Sequence, residues 1–267
     1  MSLTQTRIEV LATSVAAARL ALVGVADRIE LCANDPEGGT TPSAGTIEST
    51  LELAEPRGVP VHVMVRPRGG GFVYDRDEQA TMRRDLATAV RLGAHGLVVG
   101  VLTPAGDVDR GLLEQLVEAA EGRSVTFHRA VDVARNLEIA TETAFDLGCD
   151  RVLTSGGAVT AAEGARMIAR LVRNAPDGRV IMAGGGVTPA TATALVADTL
   201  VSEIHVSARG YRTSGASPSP PGMVGVTAGP GPGWPTNGWP APDVEMLALL
   251  REALVDVAPS GRFGASD

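Results

Sequence analysis

One short stretch of this chain carries residues well suited to binding an anion. Residues 61–74 read VHVMVRPRGGGFVY, an alternating apolar run that breaks at Arg66, Pro67 and Arg68 and continues into three glycines. Pro67 cannot donate to a sheet ladder and the glycines favour a turn, so a strand is predicted to end here. Two arginines at the end of a strand suit the capture of a carboxylate or phosphate. We therefore predict Arg66 and Arg68 to be anion-binding residues.

Glycine-rich loops add a second indication of an anion site. Gly184, Gly185 and Gly186 follow an apolar run and precede Thr188 and Pro189, which are typical of a helix cap and first turn. Backbone N–H groups at such a helix start attract anions. A serine followed by two glycines repeats this arrangement one strand earlier, and an arginine follows the last strand. The predicted anion-binding set is completed by Ser155, Gly184, Gly185, Gly186, Ser207 and Arg209.

Residues that could transfer protons lie at the ends of other predicted strands. Glu30 shares a strand face with Cys32, His128 ends the fifth strand with Asp132 at matching parity, and His205 lies on the eighth. Histidine titrates near neutrality, and a nearby carboxylate can orient it or share the proton. Glu30 and His128 are the predicted catalytic pair, with His205 and Asp132 as further candidates.

The same strand ends carry soft metal donors. Cys32, Met64, His128 and His205 form the type of donor set that Cu(I) selects. The chain has no CxxC or HxxH spacing at these residues, so spacing alone gives only a weak indication of a metal site.

The elements that must position these residues alternate between strand and helix. Successive predicted strands start about 25–35 residues apart, the size of a βα unit, and they are rich in Val, Ile and Leu, as in buried parallel sheets. The eight predicted strands are residues 7–11, 28–32, 61–66, 97–101, 125–130, 151–154, 180–183 and 203–206. Eight such units predict an α/β fold, the (β/α)8 TIM barrel, whose chemistry lies at the carboxyl ends of the strands. An open doubly wound sheet remains the alternative.

The bulk properties predict one domain over residues 1–267. Within it, residues 210–242 are rich in Gly, Pro and Ser and predict a loop, and residues 243–257 predict a closing helix. A net charge of −8 argues against binding of nucleic acid or an anionic membrane. Two cysteines imply no disulfide framework. We see no membrane span or secretory leader, so we expect a cytoplasmic protein.

At these residues the chain resembles the copper homeostasis protein CutC family. The resemblance runs in order from about residue 8 to residue 209, through the stretches DRIELC (27–32), EGGTTPS (37–43), RPRGG (66–70), TFHRA (126–130), LTSG (153–156), AGGG (183–186) and EIHVSA (203–208). It implies a TIM barrel, a cytosolic homo-oligomer and a role in copper tolerance through Cu(I) binding.

One departure from the family pattern affects the implied copper site. Family members carry a cysteine at the end of the first strand, where this chain has Leu11, and that cysteine and the one matched by Cys32 are the implied thiolates. Cys32 is thus the metal ligand that the resemblance assigns, while Cys149 falls at the opposite end of the predicted barrel. Two hypotheses stay open: a Cu(I)-binding protein, or a barrel enzyme of isomerase or lyase type acting on a small anionic or phosphorylated substrate.

Overall fold

Eight parallel strands form a closed barrel in the computed structural model, which describes residues 5–23, 25–213, 238–255 and 257. The strands pair in sequence order, and β8 pairs with β1 through Arg7 opposite Glu203 and Glu9 opposite His205. This pairing confirms the (β/α)8 barrel and excludes the open sheet. The strands are β1 (Arg7–Ala12), β2 (Arg28–Leu31), β3 (Val61–Met64), β4 (Gly96–Val99), β5 (Ser124–Phe127), β6 (Arg151–Thr154), β7 (Val180–Gly184) and β8 (Glu203–Val206).

Helices follow the strands and pack around the barrel. They begin at polar caps: Asp75, for example, accepts hydrogen bonds from the backbone of the first turn of α3 and forms a capping box with Glu78. The helices are α1 (Val15–Leu22), α2 (Ala44–Ala54), α3 (Arg76–Leu92), α4 (Arg110–Ala119), α5 (Leu137–Asp146), α6 (Ala165–Asn174), α7 (Pro189–Thr199) and α8 (Val244–Ala253). None of the helices that the structure describes is long and apolar enough to cross a membrane.

The core lies between the barrel and its helices. Ile8, Val63, Leu97 and Phe127 on the strands are fully buried, as is Leu113 on α4. Because side chains alternate across a strand, the other strand face points into the barrel. That inner face carries charged residues, and it positions the candidate site.

Four of the eight strands, β2 to β5, end earlier than the sequence predicts. β3 stops at Met64, and β5 stops at Phe127 because the chain then enters a 3-10 turn, Arg129–Val133. His128 caps this turn, its Nδ1 accepting a hydrogen bond from the backbone N–H of Ala130 at 3.1 Å. The turn ends the strand alternation, so strand parity does not place the residues after His128.

The segment predicted as a loop at 210–242 contains paired backbone at both ends. β9 (Arg209–Thr213) and β10 (Gly238–Pro242) form an antiparallel two-stranded sheet. Prolines in β10 made a strand hard to predict there, although an edge strand can hold proline. Residues 214–237, with Trp234, lie outside the described residues. α8 follows, and Leu247 and Leu250 on it are buried.

Candidate functional site

A cavity of about 390 Å³ opens at the carboxyl ends of the strands. This volume suits a small-molecule ligand, and the location is where barrels of this type carry their chemistry. The cavity is lined by both acidic and basic side chains and by two glycines that precede α7. Its lining is Leu11, Glu30, Asp35, Glu37, Gly38, Met64, Arg66, Phe72, His128, Arg129, Leu153, Gly185, Gly186, Val187, His205, Val206, Ser207 and Arg209.

Three ionisable side chains from β1, β2 and β8 meet at one side of the cavity. His205 Nδ1 lies 2.8 Å from Glu9 Oε1, and His205 Nε2 lies 3.5 Å from Glu30 Oε2. Oε1 of Glu30 is buried and has no hydrogen-bond partner among the described residues. The closure of the barrel between β8 and β1 brings His205 beside Glu9. Glu30 therefore meets His205 here and not His128, its predicted partner.

Burial and neighbouring charges shift the pKa values of these groups in different directions. Burial, opposed by His205 and aided by the Glu9 carboxylate, raises the pKa of Glu30 to about 7. Burial acts to raise the pKa of Glu9 as well, but Arg28 and His205 outweigh it and hold that pKa below its usual value. Burial acts to lower the pKa of His205, yet Glu30 and Glu9 raise it overall. Of the three groups, Glu9 is therefore the one whose charged form its neighbours favour most.

Deeper in the barrel, a ladder of ion pairs supports Glu9. Arg28 binds Glu9 through Nε, and its Nη2 donates to Glu203 Oε2 at 2.6 Å. Arg151 Nε donates to the same Glu203 oxygen at 2.6 Å. These four side chains are all buried, and their two positive and two negative charges balance. The inner ladder, defined as Arg151, Glu203, Arg28 and Glu9, thus ends at the base of the cavity.

His128 lines another part of the cavity and is held as a neutral ring. Burial, with a further contribution from Arg66, lowers the pKa of His128 to about 3. Because Nδ1 accepts from the Ala130 backbone, the ring proton of the neutral form lies on Nε2. That Nε2 is buried without a hydrogen-bond partner in the described part of the chain. A β-carbon on Gly100 would lie 2.1 Å from Cε1 of His128, so the ring needs a glycine there.

The two arginines predicted to bind an anion differ in their positions. Arg66 is buried and lines the cavity, but its guanidinium donates to the carbonyls of Glu37, Gly39 and Gly70 at 2.7–2.9 Å. It also stacks 5.0 Å from the ring centroid of Phe72. Arg68 is not part of the cavity lining. It donates through Nη2 to Glu78 Oε2 at 3.1 Å and to the backbone of its own loop.

Asp132 lies outside the cavity lining, and protein donors occupy both of its oxygens. Oδ1 accepts from Thr154 Oγ1 at 2.5 Å and Oδ2 from Ser155 Oγ at 3.0 Å. Oδ2 also accepts from Arg129 Nε at 2.8 Å, and Arg129 Nη2 donates to Ser155 Oγ at 2.8 Å. Asp132 and Ser155, which were predicted as a catalytic and an anion-binding residue, therefore fix the guanidinium of Arg129 at the cavity wall.

The remaining predicted anion-binding residues divide between the wall and the frame of the cavity. Gly185, Gly186, Ser207 and Arg209 line it, with Gly185 at φ 111°, a conformation that favours glycine. Arg209 is half exposed and pairs with Asp35 at 2.9 Å. Among the glycines of this loop, Gly184 ends β7 outside the cavity lining.

Cys32 lies behind the cavity wall. It is fully buried in a small apolar cluster with Met64 and Val98, against which Leu11 packs. Cys32 Sγ and the terminal methyl carbon of Met64 lie 3.3 Å and 3.4 Å from one point, the position of a β-carbon on Gly39. Burial, together with Glu30 and Asp35, raises the pKa of the Cys32 thiol. One thiol and one thioether fit Cu(I) in donor type, but the thiol must lose its proton and Leu11 fills the adjoining space.

Two residues of the site were not among the residues predicted to be catalytic, anion-binding or metal-ligating. Glu9 has the inward parity of an active-site strand residue, but only the closed barrel shows that it bonds His205. Arg129 has the opposite parity to His128 and reaches the cavity because β5 has already ended. A polar residue directly after a predicted strand end is the signal that could have found it.

Comparison with known proteins gives one consistent result. A family model described as the CutC family matches residues 6–210. The CutC family protein of Xanthomonas campestris pv. campestris (strain 8004) is 47% identical over 203 residues, covering 76% of this chain and 83% of the relative. That of Pasteurella multocida (strain Pm70) is 42% identical over 208 residues, covering 78% and 84%. The solved structure of CutC from Streptococcus agalactiae, named for copper homeostasis, has a TM-score of 0.71 and 34% identity, covering 75% of this chain and 97% of that one.

Proposed function

The chain belongs to the CutC family, and from the geometry of its barrel mouth we propose that this member binds a small anionic metabolite there and acts on it as an isomerase- or lyase-type enzyme. The observation that carries the proposal is the cavity of about 390 Å³, which has Arg129 and the Gly185 loop on its wall and Glu30 and His205 at its base. A site that only stored a metal cation would gain nothing from a guanidinium in its wall, because like charges repel strongly in a low-dielectric pocket.

Arg129 is the residue that we assign to the anion. Asp132 and Ser155 hold its guanidinium in place, so it loses little freedom when a carboxylate or phosphate binds. Gly185 and Gly186 lie at the entry to α7, which begins after Thr188, and a helix start favours a negative group. Arg66, by contrast, already satisfies three backbone carbonyls, and we assign it to the shape of the wall.

The base of the cavity is the reacting end. Glu30 and His205 supply a carboxylate and an imidazole, the groups most used in acid–base and metal-assisted steps. The Nε2–H of His128 has no acceptor among the described residues, and it can polarise a carbonyl or stabilise an oxyanion as other neutral donors do.

Thermal unfolding with small anions tests this proposal. Inorganic phosphate, phosphoglycolate and malonate are added one at a time in the presence of EDTA, and a saturable rise in Tm is expected for at least one of them. Replacing Arg129 by glutamine should weaken the binding of that anion about tenfold or more. This is the loss of affinity expected when a charge-assisted hydrogen bond is removed. The matched control is Arg170→Gln, because Arg170 is an exposed arginine that pairs with Glu138 on α5. Equal responses in both variants, or none in the wild type, would refute the proposal.

A second candidate function is Cu(I) binding at Cys32. It is favoured by the position of Cys32 Sγ beside the Met64 side chain and by the copper homeostasis named for the Streptococcus agalactiae protein. Competition of the reduced protein with a coloured Cu(I) chelator measures the affinity. The affinity should fall in Cys32→Ser and stay unchanged in Cys149→Ser, which removes the other buried free cysteine. Binding that survives Cys32→Ser would exclude this site.

We also propose that the protein works in the cytoplasm as a homo-oligomer. The two free, buried cysteines support a reducing compartment, and the family resemblance supports the assembly. Light scattering on the purified protein measures the assembly, and a mass equal to one chain of 27.4 kDa would contradict it.

A further inference from the structure

We propose that a divalent cation binds at the base of the cavity, held directly by Nε2 of His205 and by the carboxylate of Glu30. The two side chains come from β8 and β2, and the third member of the cluster, Glu9, comes from β1 between them. Within the described part of the chain, this is the one group of three such residues whose ligand atoms lie within 4.8 Å of one another.

The distance between the two donors favours a bridging ion. His205 Nε2 and Glu30 Oε2 are 3.5 Å apart, which is long for a charge-assisted hydrogen bond of about 2.7–2.9 Å. Two donors that bind one ion at about 2.1 Å with a tetrahedral angle lie about 3.4 Å apart. The spacing therefore fits an ion between the donors better than a shared proton.

An unpartnered oxygen provides a second, independent observation. Glu30 is only 2% exposed, and its Oε1 has no hydrogen-bond partner among the described residues. Burying a carboxylate oxygen without a partner is costly. A cation bound at this carboxylate would remove that cost, whereas Arg28, the arginine whose charge acts on Glu30, already pairs with Glu9 and Glu203.

The other side of His205 has the arrangement that metal-binding histidines use. Its Nδ1 bonds to Glu9 at 2.8 Å, and Glu9 is itself held by Arg28. A ligating histidine commonly donates its second ring N–H to a carboxylate, which fixes the tautomer and turns the other nitrogen to the metal. Glu9 is accordingly a positioning residue in this site.

The donor types select the class of ion. One imidazole nitrogen and carboxylate oxygens suit Mn²⁺, Zn²⁺ or Mg²⁺, whereas Cu(I) prefers thiolate and thioether donors such as Cys32 and Met64. Two protein ligands leave several coordination positions open to the cavity. The class of substrate follows if the proposed function holds: it is an anion that can chelate the ion, such as a 2-oxo or 2-hydroxy carboxylate.

Binding of Mn²⁺ to the metal-free protein tests the inference. The loss of the free Mn²⁺ signal in electron paramagnetic resonance counts the bound ions without any assay of activity. We expect one saturable site per chain, with a dissociation constant at or below about 1 mM. Glu30→Gln and His205→Gln should each weaken it at least tenfold, and Glu9→Gln about tenfold.

The matched control is Asp35→Asn, because Asp35 is another buried carboxylate on the cavity wall but has Arg209 as its partner. It should leave Mn²⁺ binding unchanged. Circular dichroism checks that each variant is folded. If a variant is not folded, a crystal of the wild type soaked in Mn²⁺ provides the test instead. The anomalous peak is then expected between Nε2 of His205 and the Glu30 carboxylate. Absence of saturable binding, equal binding in Glu30→Gln, or a peak elsewhere overturns the inference.

The result can be separated from that of the proposed function. Mn²⁺ is titrated without added anion, and the anions of the earlier experiment are tested both in EDTA and with saturating Mn²⁺. Anion binding without Mn²⁺ binding would refute only the metal site. Mn²⁺ binding without anion binding would refute only the proposed binding of a metabolite.

Discussion

The charged residues inside this barrel form two layers that differ in how completely they are paired. In the inner ladder, Arg28 and Arg151 share Glu203 at 2.6 Å each, and Glu9 completes the set. In the layer above, at the mouth, Glu30 Oε1, His128 Nε2 and Arg66 Nε are buried without partners in the part of the chain that the structure describes. The charges of the inner ladder neutralise one another, whereas the unpartnered polar atoms at the mouth can still bind a ligand.

The difference shows which buried charges serve stability. A charge that is fully paired within the protein contributes to the fold only while its partner remains. A buried polar atom without a partner lowers stability, and proteins retain such groups mostly at functional sites. Arg28 of the inner ladder and Glu30 of the mouth lie on the same strand, β2, and both are buried, so burial alone does not distinguish the two layers.

The largest expected effect is in the inner ladder. Glu203→Gln leaves Arg28 and Arg151 without their shared carboxylate, and we expect a loss of about 3–5 kcal/mol in the free energy of unfolding. Urea denaturation measures it. Glu78→Gln is the control, because Glu78 pairs with the partly exposed Arg68 and its loss should cost much less than that of Glu203. Similar losses in the two variants would show that the ladder contributes no more than a surface pair.

Much of the fold could be predicted from the sequence, because short runs rich in Val, Ile and Leu at regular spacing leave few alternatives to a parallel sheet. Barrel closure needed the structure, since no local pattern reports that β8 pairs with β1. Strand parity correctly placed Glu30 and His205 at the mouth. It could not show that His205 bonds Glu9, because that contact joins residues 196 positions apart.

Other parts of the site depended on local geometry that the sequence pattern does not carry. The turn after Phe127 takes Arg129 to the cavity and Asp132 to the loop beside it. Arg68 has the composition of an anion ligand, yet Glu78 and the loop carbonyls occupy its guanidinium. Residue type therefore predicted the chemistry of the region, but only the contacts show which groups are available.

The second prediction concerns acid and the mouth layer. His128 has a pKa of about 3 in the folded protein, whereas in the unfolded chain it gains a proton below about pH 6.5. The unfolded state then binds more protons, so stability falls as the pH drops from 6.5 towards 3. One histidine accounts for about 2 kcal/mol between pH 6.5 and 5.

Urea denaturation of the wild type and of His128→Asn at several pH values measures this contribution. The asparagine cannot titrate and can still accept from the Ala130 backbone, so the variant should lose stability with acid less steeply. Parallel curves for the two proteins would mean that His128 is not buried as a neutral ring.

The third prediction sharpens the contrast between the base of the cavity and its wall. Leu11→Cys places a second thiol against Cys32 and Met64, where Leu11 now packs. Cu(I) affinity should rise about tenfold or more, equivalent to about 1.4 kcal/mol. Mn²⁺ affinity should not change, because no sulfur is added to the His205 and Glu30 side. Chelator competition measures the Cu(I) affinity and electron paramagnetic resonance measures the Mn²⁺ affinity. A parallel change in both affinities would mean that the two ions bind at one site.

The smallest expected effect is the most informative, because it repeats the first substitution one layer higher. Glu30→Gln exchanges the same atoms as Glu203→Gln, in an equally buried position, but none of the described arginines contacts the carboxylate that is lost. We expect the free energy of unfolding of the metal-free protein to change by less than about 1 kcal/mol in either direction. If Glu30→Gln instead costs as much as Glu203→Gln, the mouth carboxylate is a structural charge, and the distinction between the two layers fails.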